Sequence, residues 1–160
     1  LKDLKTCADR IINTSRYNVH ELKSIISDIA HKSKNISLMR MHVLSFGYKF
    51  GIPMDADLII DVRFLENPYF KSELRDLNGE NEKVRNFVLK NRKTKTFLKK
   101  YIDLLDYLIP LYEKEGKAYL TIAVGCTGGR HRSVPIARTI FEYFKKSGVQ
   151  TGISHRDIGR

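Results

Sequence analysis

The sequence predicts an α/β fold, a mainly parallel sheet flanked by helices. Short apolar, strand-like runs alternate with stretches of helical periodicity from residue 36 onward, which implies strands joined by helical crossovers. The run Leu58-Ile59-Ile60-Asp61-Val62-Arg63 is apolar enough to lie centrally in a sheet. Third, Ala118-Tyr119-Leu120-Thr121-Ile122-Ala123-Val124 runs into a glycine-rich turn and then a helical pattern, the order in which α/β proteins build an anion cradle.

Taken in order, residues 8–12 resemble the end of a short strand, and Asn13-Thr14-Ser15 a turn or cap. Val19, Leu22, Ile25, Ile26 and Ile29 share a helical face, and the polar residues 31–35 form a linker. These features divide the chain into a first piece, 1–35, and an α/β domain, 36–160. Within the domain the expected strands are 38–46, 58–63, 118–124 and 149–154. The expected helices are 82–90, 94–115 and 133–146. In the second helix Phe97, Tyr101, Leu104, Leu105, Leu108 and Leu111 recur at helical spacing, and Pro110 is expected to kink it or end it early. The third helix presents Ile136, Ile140 and Phe144 on one face.

A chain of 160 residues and 18.5 kDa supports one domain with a real core. Its 29 Lys and Arg against 18 Asp and Glu leave a net charge of +11, which favours polyanionic partners such as RNA or phosphorylated metabolites. Two cysteines, Cys7 and Cys126, make neither a disulfide framework nor a zinc pattern, so the expected setting is reducing and cytoplasmic. No apolar run approaches the ~18 residues of a membrane span. The first residue is Leu1, which marks the sequence as the expected fragment of a longer chain.

The densest chemistry lies in Gly125-Cys126-Thr127-Gly128-Gly129-Arg130-His131-Arg132-Ser133-Val134. Thr127, Gly128 and Gly129 offer backbone N–H groups, and Arg130, His131 and Arg132 supply charge. Ser133 is placed to cap the following helix while touching an anion. Arg63, at the end of one strand, and His155 and Arg156, at the end of another, reach the same carboxyl edge if the strands are parallel. A second reading takes Cys126, Gly129, Arg132 and Ser133 as a C-x2-G-x2-R-S phosphatase loop. Cys126 is then the nucleophile, Arg132 the phosphoryl fork, and one of Asp55, Asp57, Asp61, Asp76 and Asp157 the acid. That family usually has histidine before the cysteine; here Gly125 stands there. A third reading leaves a glycine turn with solvated basic side chains. His20, His31 and His42 lack metal-ligand spacing, and no metal is expected. Lys93, Lys95, Lys99 and Lys100, interleaved with Phe97 and Tyr101, could track a nucleic-acid backbone together with Arg130 and Arg132. No G-x4-G-K-[ST] loop is present.

The stretches 45–53 (Ser45 to Pro53), 56–65 (Ala56 to Leu65), Glu115-Gly116-Lys117, Leu120-Thr121-Ile122-Ala123 and Gly125 to Val134 together resemble the C-terminal domain of the RapZ-like (YvcJ-like) proteins. His155-Arg156-Asp157 resembles that domain's final strand end, so the likeness covers about residues 36–158. Residues 1–33 resemble the end of the family's N-terminal P-loop kinase-like domain. Asn13 departs from a usual aspartate and Glu66 from a frequent proline; neither touches the glycine loop. The resemblance implies ATP or GTP binding by an N-terminal domain absent from this sequence, with no cofactor in the fragment. It implies a C-terminal domain similar to a phosphofructokinase subdomain, with a ligand of sugar-phosphate size. In some members it also implies an adaptor role with small regulatory RNA and a ribonuclease. A homo-oligomer is compatible with all of this.

Overall fold

The computed structural model describes residues 11–33 and 39–160, in two compact units, 1–35 and 36–160. In the first, a 3-10 turn at Thr14–Arg16 is capped by Asn13, and helix α1 spans Val19–Ser33. Asn18 and Glu21 start α1 by exchanging backbone-to-side-chain bonds, each 2.9 Å long, a reciprocal cap that satisfies two otherwise orphaned donors. Val19 and Ile26, on the apolar face read from the sequence, are solvent-exposed. Of the strand expected at 8–12, residues 8–10 lie outside the described residues and Ile11 and Ile12 are not in a strand. The helix runs into the expected linker as far as Ser33.

The second unit is α/β. Strands β1 (Arg40–Gly47), β2 (Leu58–Asp61), β3 (Tyr119–Cys126) and β4 (Thr151–His155) alternate with α2 (Glu82–Lys90), α3 (Arg92–Lys114) and α4 (Ser133–Lys146). The sheet order is β2-β3-β1-β4 and every pairing is parallel. Helix α4 packs across β1, β3 and β4, burying Ile136, Ile140 and Phe144 with Val43, Ile122 and Val124 of the sheet.

Several boundaries shift for identifiable reasons. Strand β2 ends at Asp61 because the Asp61 carboxylate turns back to accept the Arg63 N–H at 2.8 Å, an Asx turn that competes with the ladder. Strand β4 starts at Thr151, because Gly148, at φ 83°, closes α4 and the Val149 N–H bonds back to the Phe144 carbonyl at 3.1 Å. Helix α3 continues four residues past Pro110, correcting the expected early stop. Pro110 is exposed, so the carbonyl it leaves unpaired lies on the solvent side. The buried face of α3 is Thr94, Leu98, Leu105 and Ile109; Leu104 and Leu111 are exposed.

With four parallel strands, all carboxyl ends meet one edge. Gly47 is in register with Cys126, Asp61 with Gly125, and Ser45 with His155. Open α/β sheets bind their ligands at that edge. No helix among the described residues is long and apolar enough to cross a membrane.

Candidate anion-binding site

After Cys126 the chain folds back over the end of β1. A Cβ at Gly47 would lie 2.5 Å from the Gly128 carbonyl carbon, and one at Gly129 would lie 2.6 Å from the Gly47 nitrogen. Gly129 also sits at φ 73°, a left-handed conformation that strains other residues. These two backbones touch because neither carries a side chain.

The loop's polarity is sorted by its neighbours. The Thr127 carbonyl accepts from Lys49 N–H at 3.1 Å, and the Arg130 carbonyl accepts from Gly79 N–H at 2.8 Å. The backbone N–H groups of residues 127–132 find no protein acceptor among the described residues. Arg132, at the cap position of α4, makes no side-chain cap bond. Ser133 does not cap the helix as expected: it is fully buried, and its hydroxyl pairs with Cys126 Sγ at 3.2 Å. A run of free amides at a helix N-terminus attracts an anion.

Arg132 is only 6 % exposed. Its Nη1 donates to the carbonyls of Arg63 (2.7 Å) and Leu65 (3.1 Å), and its Nη2 to Thr127 Oγ1 (3.1 Å). Arg130 Nη2 donates to the Asp76 carbonyl, and His131 Nε2 lies 3.1 Å from the Arg75 carbonyl. The Nε atoms of Arg130 and Arg132 are buried without an acceptor among the described residues. Burial holds His131 below the ordinary histidine pKa and the neighbouring Arg130 charge adds to this, against the pull of nearby carbonyls.

These groups line a cavity of about 570 Å³, with Cys126, Thr127 and Gly128 on the loop side and Lys49, Phe50, Asn67, Tyr69, Arg75, Asp76 and Arg160 around it. A Cβ placed on Gly128 would meet no protein atom within 4 Å, and its φ is not positive. Neither packing nor backbone strain demands glycine there. The space a side chain would take belongs to the cavity.

The other candidates brace this edge rather than line the cavity. Asp157 is fully buried and accepts the Gly47 N–H at 2.8 Å. Arg156 donates to the same carboxylate oxygen (2.8 Å from Nη2) and to the Gly51 carbonyl (2.7 Å). His155 Nδ1 is 2.7 Å from Ser45 Oγ and its Nε2 is 3.3 Å from Glu80, which also pairs with Arg138. Arg63 pairs with Asp61 at 2.7 Å and lies over the Tyr48 ring.

For the phosphatase reading, Cys126 is 2 % exposed and Arg132 spends its fork on carbonyls. Of the five aspartates considered, only Asp76 shares the cavity with Cys126. The burial of Arg132 also removes it from any surface a macromolecule could grip. Lys93, Lys95, Lys99 and Lys100 are exposed on α3. Lys93 and Lys100 line a separate groove of about 700 Å³ with Phe64, Asn91, Arg92, Thr96 and Phe97.

Residues 39–159 match the family model described as the RapZ C-terminal domain. The chain belongs to that family. It is 60 % identical over 159 residues to a protein of Desulforapulum autotrophicum named a nucleotide-binding protein, covering 98 % of this chain and 54 % of that one. A Desulfosudis oleivorans protein of the same designation is 49 % identical over 159 residues, covering 99 % and 54 %. One from Geotalea daltonii is 48 % identical over 158 residues, covering 99 % and 55 %. The chain thus spans about half the length of the curated relatives it matches.

The loop residues of this site follow from the strand, glycine turn and helix order; Lys49, Asn67, Tyr69, Arg75 and Arg160 were missed because they reach it from distant segments. The neighbouring cation–aromatic pair Lys49-Phe50 was the one local signal. Arg132→Lys retains the charge but not the planar fork, leaving buried carbonyls short of donors. It should lower unfolding stability by about 2–3 kcal/mol in urea titrations. A change under about 0.5 kcal/mol would show that Arg132 does not tie the loop to residues 63–65.

Proposed function

We propose that residues 39–159 form a regulatory, non-catalytic domain that binds a phosphorylated small molecule of the sugar-phosphate class. The observation that carries this reading is the row of unpartnered amides at 127–132 beneath an open cationic cavity. Backbone N–H groups fixed by glycine conformations, a helix N-terminus and buried arginine charge together favour a phosphoryl group. The cavity is of a size that encloses a small metabolite. Membership of a RapZ C-terminal domain family, with relatives named nucleotide-binding proteins, fits a ligand-responsive domain. Nucleotide binding, as ATP or GTP, belongs in this reading to the part of the relatives that the chain does not span, and residues 1–35 to the end of that P-loop domain.

Gly128→Ala tests the site, since its methyl group would project into the cavity without touching the protein. Fructose 6-phosphate and orthophosphate, titrated calorimetrically, should each bind about tenfold or more weaker to the variant. The melting temperature should hold or rise slightly, because the substitution restricts only the unfolded chain. Unchanged affinity for both probes would remove the loop from the site.

We propose RNA binding on a second surface, and through it an adaptor role toward small regulatory RNA and a ribonuclease in the cytoplasm. Phe64 is 57 % exposed and packs edge-on against Phe97, with Arg92, Lys93 and Lys100 along the same groove. Exposed rings flanked by cations suit stacked bases and a phosphate backbone. Lys93→Ala/Lys100→Ala should reduce the slope of log affinity against log salt by about 0.7–0.9 per lost phosphate contact. Because this groove shares no lining residue with the loop cavity, fructose 6-phosphate binding should be unaffected. An unchanged slope would take the groove out of the RNA interface.

A further inference from the structure

We infer that the ligand of the loop cavity carries two phosphoryl groups, one on the loop amides and a second at the cavity mouth. This rests on the loop reading above and concerns what lies beyond the first phosphoryl group. The cavity is lined by five permanent cations, Lys49, Arg75, Arg130, Arg132 and Arg160, against one carboxylate, Asp76. A single phosphoryl group brings only about −1.5 to −2 charges. One phosphoryl group therefore leaves part of the lining charge unmatched in a partly enclosed space, where like charges repel most.

The five cations are also arranged in two tiers. Arg130 and Arg132 are turned into the protein, bound to carbonyls on the loop side. Lys49, Arg75 and Arg160 are exposed, yet each is steadied by an aromatic face. Lys49 Nζ lies 5.8 Å from the Phe50 ring centre and the Arg160 guanidinium 4.9 Å from it. The Arg75 guanidinium lies 5.2 Å from the Tyr69 ring, and its Nε donates to the Tyr69 carbonyl at 3.2 Å. Cation–π contacts restrain long side chains that would otherwise sample solvent, which lowers the entropic cost of gripping an anion. Neither Lys49 nor Arg75 has an ion-pair partner among the described residues, so their charge is uncommitted. Two restrained, uncommitted cations, Lys49 and Arg75, beside Arg160, which reaches Asp157 at 3.5 Å, face the loop across the cavity and make a second anion subsite.

The test compares fructose 1,6-bisphosphate with fructose 6-phosphate at fixed ionic strength, following the amide shifts of Gly128 and Gly129 by NMR. The bisphosphate should bind at least about tenfold tighter. Lys49→Ala/Arg75→Ala, both on exposed positions, should cut that advantage to about twofold or less. Lys114→Ala/Lys146→Ala removes the same charge away from the cavity and should preserve the advantage. Equal affinities for the two sugars, or an advantage that survives in the Lys49/Arg75 variant, would overturn the second subsite. Absence of any shift with fructose 6-phosphate would overturn the loop reading itself, and the second subsite with it.

Discussion

The backbone of β1 and the backbone of the glycine loop meet closely enough that neither Gly47 nor Gly129 has room for a side chain. The parallel register brings Gly47 opposite Cys126, so the chain leaving β3 must turn directly over the end of β1. That turn requires the left-handed conformation of Gly129. Asp157 then fixes the other side of the contact by accepting the Gly47 N–H, and Arg156 neutralises the buried carboxylate. A buried carboxylate needs both partners, because an unpaired charge in that position is costly. The cavity, its amides and its cations all rest on this junction.

Charge in the site is divided between holding and binding. Arg132 holds: its guanidinium satisfies carbonyls on the 63–65 segment and the Thr127 hydroxyl, which fixes one wall of the cavity. Arg130 and His131 hold the 75–79 segment in the same way, through the Asp76 and Arg75 carbonyls. The positive field of these groups still reaches the cavity, since hydrogen bonds to neutral carbonyls do not cancel it. The amides and the mouth cations are left to bind. In the proposed function such an assembly binds an anion and offers little to a displacement reaction, whose thiolate must be open to attack. Cys126 is instead packed against Ser133 beneath the loop.

The alternation of strands and helices, the parallel sheet and the helix over 133–146 were legible because each follows from local periodicity and turn chemistry. The loop residues 126–132 were legible for the same reason: adjacent glycines and cations between a strand and a helix have few other uses. The individual roles were not. Arg132 and Arg130 read alike in sequence, and only the tertiary position of the 63–65 and 75–76 carbonyls turns both inward. His155 and Arg156 do reach the carboxyl edge, as parallel strands require, but Ser45, Glu80 and Asp157 claim them there. Pro110 shows the limit of a local rule, since a helix with a well-packed opposite face tolerates an exposed proline. The cations at the mouth come from segments more than 20 residues apart, and no spacing rule links Lys49 to Arg75 or to Arg160.

The central claim is that the free amides of residues 127–132 hold a tetrahedral oxyanion. A crystal structure of this chain grown in sulfate or phosphate tests it most directly. The account predicts anion density within hydrogen-bond distance of at least two of those amide nitrogens, with the Arg130 or Arg132 Nε turned toward it. A well-ordered loop that stays empty in abundant sulfate, or that turns its carbonyls toward the cavity, would contradict it.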